Sequence, residues 1–189
     1  MTYRLDVSTR QAVKYWRSKG VDIRPWIYRV YSLDGQMYLD INAFGRADDP
    51  YEDKPTQYHL INTNYSNDPV SHDYMLDQRR AAAFYGDWKY KIDNIEPNDR
   101  VFLYRSGEGI VAFGVCKSSN PGVKNPPHGP EDTDEEHFVE LEPFHVLPQP
   151  LSAARLREAA EYHVPLVSTY TSIRSEGGEL LWQECLKHI

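Results

Sequence analysis

The stretch VFLYRSGEGIVAFGV, residues 101–115, constrains the fold more than any other part of the sequence. Two apolar runs rich in β-branched and aromatic residues flank the connection Ser-Gly-Glu-Gly. Runs of this kind on either side of a short, glycine-containing connection are typical of a β-hairpin. Glycine also adopts the backbone angles that a tight turn requires. We therefore predict an antiparallel pair of strands, the first of which, Val101–Arg105, helps to line a pocket.

Composition divides the chain into two parts. The first, residues 1–55, contains the segment TRQAVKYWRSKG, which predicts a capped helix, and alternating runs around Asp34-Gly35, which predict a hairpin. The polar segment 45–56, with two prolines, predicts a linker. We expect residues 1–55 to form a helix and β-hairpin extension, and residues 56–189 to form the main domain.

The second part mixes helices and strands along the chain. Tyr58–Ile61 predicts a strand that runs into an Asn- and Ser-rich stretch, and Ser71 predicts the cap of a helix that Gly86 ends. The hairpin and a long loop follow, then a strand that Pro143 makes either an edge strand or a bent one. Two amphipathic helices come last, the first capped by Ser152 and the second spanning residues 178–189. This order favours an α+β fold with a mostly antiparallel, curved sheet.

The net charge and the cysteines indicate in which compartment the protein works and which partners it can attract. A formal net charge of −7 does not attract nucleic acid or an anionic membrane. The acids are concentrated in residues 46–53 and 130–137, and salt screens them beyond about 8–10 Å, so a basic groove elsewhere is compatible with that charge. We find no apolar signal segment, no long apolar run and no metal-ligand spacing around Cys116 and Cys185. We therefore expect a cytoplasmic protein that does not associate with a membrane.

Motifs for catalysis or metal binding are lacking in this sequence. No histidine pair has the spacing of a helical zinc site, and Pro143 separates His137 from His145 on their predicted strand. The sequence has no Gly-x-Ser-x-Gly motif, and the SGEG turn lacks the lysine of a phosphate loop. We therefore expect no metal and no cofactor, and we favour a non-catalytic protein over an enzyme.

Residues suited to holding a planar ligand are present. Such a site needs an aromatic wall, a polar floor near a strand end and basic groups at its mouth. Trp88, which we place between the predicted helix and a predicted strand that follows it, is the candidate for the wall. The other candidates are Asn62, Thr63, Asn64 and Ser66 for the floor, and Lys89, Lys91, Arg105 and Ser106 for the mouth. Each also has a simpler explanation in core packing, in turn formation or in protecting a sheet edge. Only their joint occurrence favours a pocket.

With these residues in place, the chain resembles a known family. The order YHLINTNYSND, helix, DWKYKI and EPNDRVFLYRSGEGIVAFGV is similar to the EVE and YTH branch of the PUA-like domains, and so is the later PLSAARLREAAEYHVPLV. The resemblance covers about residues 57–189. It implies a small, bent, EVE-type β-barrel with flanking helices. It also implies binding of a flipped or modified base, for example a methylated one, of DNA or RNA in an aromatic cage.

The resemblance also assigns roles to individual residues. Trp88 resembles a wall of the cage, Asn62–Asn64 the segment that contacts the base edge, and Tyr104–Gly107 the hairpin near the pocket. The candidates for the second aromatic residue of the cage are Tyr65, Tyr90 and Tyr104. The expected ligand-binding set is Asn62, Thr63, Asn64, Tyr65, Ser66, Trp88, Tyr90, Tyr104, Arg105, Ser106 and Gly107. Since several family members are fused to nucleases or restriction motors, a partner of that kind is also expected.

Two alternatives stay open. Relatives of the ASCH type imply a hydrolase of modified nucleosides, in which Thr63, Lys89 and Glu108 would converge. The other alternative is a protein-interaction module that dimerises through the N-terminal hairpin. The oligomeric state is left open by the sequence.

Overall fold

The structure is a computed structural model. It describes residues 15–16, 19–21, 26–33, 36–43, 55–118, 121–124 and 135–189. The chain divides into two compact units, Met1–Pro55 and Thr56–Ile189.

The first unit contains the predicted hairpin. Strands β1 (Trp26–Leu33) and β2 (Gln36–Ala43) pair antiparallel along their whole length, which confirms that prediction. Tyr15 and Trp16, within the predicted helix, have helical backbone. The start of that helix, and the Asp34-Gly35 connection, lie outside the described residues.

A mixed sheet of seven described strands forms the second unit. They are β3 (Tyr58–Asn62), β4 (Arg80–Phe84), β5 (Arg100–Arg105), β6 (Gly109–Cys116), β7 (Gly122–Lys124), β8 (Glu136–Leu151) and β9 (Tyr170–Ile173). They lie in the order β4-β8-β6-β5-β3-β9, and β7 also pairs with β8. Among these strands β3 and β5 pair in parallel and the others antiparallel, as the predicted α+β class requires.

The long strand β8 curves the sheet. Its first part, residues 136–140, pairs with β4 and β7, and its second part, residues 141–151, pairs with β6. The pairing of β6 with β8 shifts register twice, and such bulges bend and twist a strand. The predicted bend in this strand is therefore confirmed.

The hairpin of β5 and β6 is confirmed, and its glycines have the expected role. Gly107 and Gly109 have φ angles of +84° and +143°, in the range that favours glycine. A Cβ atom at Gly109 would also overlap the carbonyl group of Leu151. The turn therefore requires glycine at this position for two independent reasons.

The helix predicted after Ser71 is wrong at both ends. Helix α1 spans Pro69–Asp77, and its cap is Asp68, whose carboxylate accepts the Ser71 N–H at 3.0 Å. The backbone leaves the helix at Arg79, which has a φ of +52°. The next segment, Arg80–Phe84, is strand β4 and pairs with β8. Burial and pairing in the sheet thus override the high helix propensity of three consecutive alanines.

The strand predicted after Trp88 is also wrong, because this segment is a 3-10 helix, Lys89–Asn94. Trp88 is the residue that caps it, and it follows strand β4 rather than a helix. Ile92 of the 3-10 helix is fully buried against the sheet, together with Ile61 and Leu103. The same packing leaves Trp88 on the surface.

Two helices cover the opposite face of the sheet. Helix α2 (Ala153–Ala160) has the predicted cap, Ser152. Helix α3 (Ser175–Leu186) confirms the predicted C-terminal helix but begins and ends three residues earlier than predicted. Their apolar side chains form one buried cluster with the sheet residues Leu60, Phe102 and Phe113. None of the helices in the described part of the chain is both long and apolar enough to cross a membrane.

A buried network joins the amino ends of β3 and β5 to β9. His59 Nε2 lies 3.0 Å from Asp99 Oδ2, and His59 Nδ1 lies 2.9 Å from the Tyr170 hydroxyl. Asp99 also accepts the backbone N–H groups of Gln57 and Glu96, at 3.0 and 2.8 Å. Burial acts to raise the pKa of Asp99, but these hydrogen bonds outweigh it and lower the pKa below its usual value.

A buried ion pair joins β4 to β8. Arg80 and Glu136 are 4% and 0% exposed, and Nη1 lies 3.2 Å from Oε1. Burial raises the pKa of Glu136, although Arg80 opposes this effect. Replacing Arg80 by Met leaves that carboxylate buried without its cation, which we expect to cost about 3–5 kcal/mol in the free energy of unfolding. Replacing Glu136 by Leu as well removes the unpaired carboxylate and should restore most of the lost unfolding free energy.

Urea unfolding of both variants measures these changes, with Arg79→Met, at an exposed neighbouring arginine, as the control. A double variant no more stable than Arg80→Met would contradict the prediction.

The Asp99 network makes folding stability depend on pH. Because the folded-state pKa is lowered, the contribution is present above the unfolded pKa of about 4 and is lost as the pH falls through the folded value. We expect Asp99→Asn to lower the free energy of unfolding by about 1–3 kcal/mol at pH 7. The difference in unfolding free energy between this variant and wild type should become smaller at acid pH. Urea unfolding across a pH series measures this difference. Asp87→Asn, at an exposed aspartate, is the control, and a constant difference for Asp99→Asn would refute the argument.

Candidate functional site

The polar residues that follow β3 and β5 lie together because these two strands are parallel. Asn62 lies opposite Tyr104 at the carboxyl ends of the strands. Beyond them, the Thr63 N–H donates to the Tyr104 carbonyl at 2.9 Å, and the Asn62 amide donates to Ser106 Oγ at 3.0 Å. We call residues 62–66 and 104–107 the strand-end cluster. The carboxyl ends of parallel strands are a common position for ligand sites in open sheets.

Two asparagines of the cluster have different environments. Asn64 is exposed, has a φ of +56°, and its side chain accepts a hydrogen bond from the Asn67 amide at 2.8 Å. It therefore belongs to the turn that leads to α1. Asn62 is half-buried, and its oxygen accepts the Asn64 N–H at 3.0 Å. Its nitrogen has two N–H groups, of which one donates to Ser106 and the other has no acceptor among the described residues.

The aromatic ring of the cluster is Tyr65, which is half-buried. The guanidinium carbon of Arg105 lies 3.4 Å from the centre of the Tyr65 ring, which is a stacking distance. Arg105 Nη2 also lies 3.0 Å from Glu108 Oε1, and the two side chains are 25% and 42% exposed. The Arg105 Nε atom is buried and has no hydrogen-bond partner among the described residues.

A buried layer beneath the ring includes one residue that the sequence analysis did not identify, His72. Its Nδ1 lies 2.7 Å from Thr63 Oγ1, which in turn donates to the Tyr104 carbonyl at 3.2 Å. The imidazole also makes a T-shaped contact with Tyr65 at 4.9 Å. Burial lowers the pKa of His72 more than Asp73 raises it, so the imidazole is neutral at pH 7. This residue positions Thr63 and Tyr65, and no spacing in the sequence indicates that it does so.

Trp88 and Tyr90, the two candidates near the 3-10 helix, are both exposed. Their side chains are 59% and 52% exposed. The Tyr90 ring makes a T-shaped contact with His137, and His137 Nδ1 lies 2.8 Å from Asp93 Oδ1. No hydrogen bond or ring contact among the described residues joins Trp88 to the strand-end cluster. The structure thus presents the candidates as two surfaces.

Several other candidates are occupied by partners within the chain. The Tyr104 ring is buried in the core, so its contribution to the cluster is its carbonyl oxygen. Lys89 is nearly buried and pairs with Glu135 at 2.7 Å. Ser66 and Gly107 are exposed at the rim of the cluster.

The three residues of the hydrolase alternative make separate contacts. Thr63 is buried against His72, Lys89 pairs with Glu135, and Glu108 pairs with Arg105. No contact within the described residues brings the three side chains together. In the same residues, no group of three or more His, Cys, Asp or Glu side chains is arranged to hold a metal ion.

An open groove of about 580 Å³ lies on a different part of the surface. It is lined by Gln78, Arg79, Lys117, Glu140, Leu141, Glu142, Pro143 and Phe144. None of the expected ligand-binding residues is among them, and Lys117 pairs with Glu142 across it. An open groove in which half of the lining residues are charged lacks the enclosed aromatic wall that a planar ligand requires. We therefore place the candidate site at the strand-end cluster.

Comparisons with known proteins add similarities of fold only. No family model matches the chain, and no curated protein matches it. The NMR structure of Rpa0253 from Rhodopseudomonas palustris is 15% identical with a TM-score of 0.43, covering 70% of this chain and 93% of that one. The crystal structure of Atu2648 from Agrobacterium tumefaciens is 12% identical with a TM-score of 0.44, covering 68% and 92%.

Proposed function

We propose that residues 56–189 form a PUA-like, EVE-type module that binds one flipped or modified base of DNA or RNA without catalysing a reaction. The observation that carries the proposal is the half-buried Asn62 amide, with one N–H left for a ligand, at the same strand ends as the half-buried Tyr65 ring. An aromatic face stacks on a base, and an amide can hydrogen-bond to its edge. The mixed, curved sheet and the order of the sequence motifs support the family assignment.

Trp88 is the outer stacking surface in this proposal. It is more exposed than any other tryptophan or tyrosine that the structure describes, and none of the described residues makes a ring contact with it. A large apolar side chain left on the surface is a common sign of a binding site. Stacking one base on an aromatic ring contributes about 1–3 kcal/mol, whereas burying one methyl group adds about 0.8 kcal/mol. Binding therefore depends on stacking, and a methyl group adds about fourfold.

The first test measures binding of a labelled single-stranded oligonucleotide by fluorescence anisotropy at low salt, with and without one N-methylated base. We expect Tyr65→Ala and Trp88→Ala each to weaken binding by about 5- to 150-fold, the equivalent of one stacked base. Trp16→Ala, which removes an exposed indole in the first unit, is the matched control and should bind as wild type does. The proposal fails if wild type binds neither oligonucleotide, or if Tyr65→Ala leaves the affinity unchanged.

A second test uses salt. Three cations near the strands are already paired, Lys89 with Glu135, Arg105 with Glu108, and Arg100 with Glu179 at 2.5 Å, whereas Lys91 is exposed. Few phosphates can then be neutralised, and each contributes about −0.7 to the slope of log K against log salt for a single strand. We expect a slope of about −0.7 to −1.4, measured by repeating the titration across a salt series. A slope steeper than about −4 would instead indicate a basic groove that follows the backbone.

A further inference from the structure

We propose that Arg105 is an internal plug of the base site, which a base within a strand displaces and a free nucleoside does not displace efficiently. This inference rests on the proposed function, because the ligand that competes with Arg105 is the base. A guanidinium is planar and stacks on aromatic rings, as a base does. At 3.4 Å from the ring centre, Arg105 covers the face of Tyr65 that a base would need.

The hydrogen bonds of Arg105 show that this position is weakly held. An arginine has five N–H groups, and here Nη2 pairs with Glu108, itself 42% exposed, while the buried Nε has no partner among the described residues. Exposed ion pairs contribute little to stability, and a buried donor without an acceptor is unfavourable. Stacking by an incoming base can therefore replace the guanidinium at little net cost.

The turn beside Arg105 provides room for the displaced side chain. Arg105 is the last residue of β5 and is 25% exposed, and Glu108 lies on the same turn. Apart from the adjacent residues Ser106 and Glu108, no described residue has an atom within 4 Å of the position that a Cβ would take at Gly107, so this side of the turn is open. A guanidinium rotated toward the turn would meet the phosphates that flank a flipped base. Phosphate is the ligand class for which the arginine fork is best suited.

The two roles of Arg105 predict opposite effects on two ligands. A free nucleoside must displace the plug and offers no phosphate in return. A base within a strand displaces the same plug and gains a phosphate contact. Arg105 thereby makes the site selective for a base in a nucleic acid over the free nucleoside.

The experiment compares wild type with Arg105→Met, which keeps an apolar stem and removes the charge. The probes are free N6-methyladenosine and a single-stranded nonamer that contains one N6-methyladenine, each titrated by calorimetry. We expect Arg105→Met to bind the nucleoside about 5- to 30-fold more tightly and the nonamer no more tightly than wild type. Arg79→Met, at an exposed arginine outside the cluster, should change neither affinity.

An NMR measurement tests the plug directly in the free protein. Stacking on Tyr65 shifts the Arg105 side-chain proton signals upfield through the ring current, and we expect the shift to vanish in Tyr65→Ala and on addition of the nonamer. If Arg105→Met lowers the affinity for both ligands equally, or leaves the nucleoside affinity unchanged, the plug is refuted and the proposed function still stands. If neither wild type nor Arg105→Met binds either probe, both proposals fall.

Discussion

The parallel pairing of β3 with β5 determines where this protein can present polar groups. It places the starts of both strands at one edge of the sheet and their ends at the other. At the first edge, Asp99 is buried and has three hydrogen-bond donors, so its groups are occupied within the fold. At the second edge, Asn62 and Tyr65 are half-buried, and the Asn62 amide has an N–H to spare. The same pairing therefore makes one end structural and leaves the other available to a ligand.

Pairing of charges within the chain limits how the second edge can bind. The chain has a net charge of −7, and Lys89 and Arg105 each contact an acid of the same unit. Long-range attraction of a polyanion is therefore weak. Under the proposed function, affinity has to come from short-range contacts, namely stacking and hydrogen bonds to the base edge. Such contacts suit the recognition of one base better than that of an extended backbone.

Local signals in the sequence predict the elements whose structure is determined locally. The apolar, β-type runs on either side of Ser-Gly-Glu-Gly predict β5 and β6, and Ser152 predicts the start of α2, because turns and caps depend on a few adjacent residues. The segment Arg80–Phe84 fails as a helix for the opposite reason. Its strand conformation depends on pairing with β8, far along the chain, and on the buried ion pair between Arg80 and Glu136. The three alanines by themselves indicate neither the pairing with β8 nor the ion pair with Glu136.

The same division applies to the candidate site. The closeness of Asn62 and Ser106 is predictable, because each follows a recognisable strand. The stack of Arg105 on Tyr65 is not predictable, because Arg105 ends β5 whereas Tyr65 lies in the turn before α1, and their contact depends on how α1 positions His72. Residue types suggest an exposed cation beside an empty pocket, whereas the fold brings that cation onto the ring itself. A ligand for this edge must therefore stack better than a guanidinium that is already in place, and a base held in a strand, with a phosphate to offer, meets that condition.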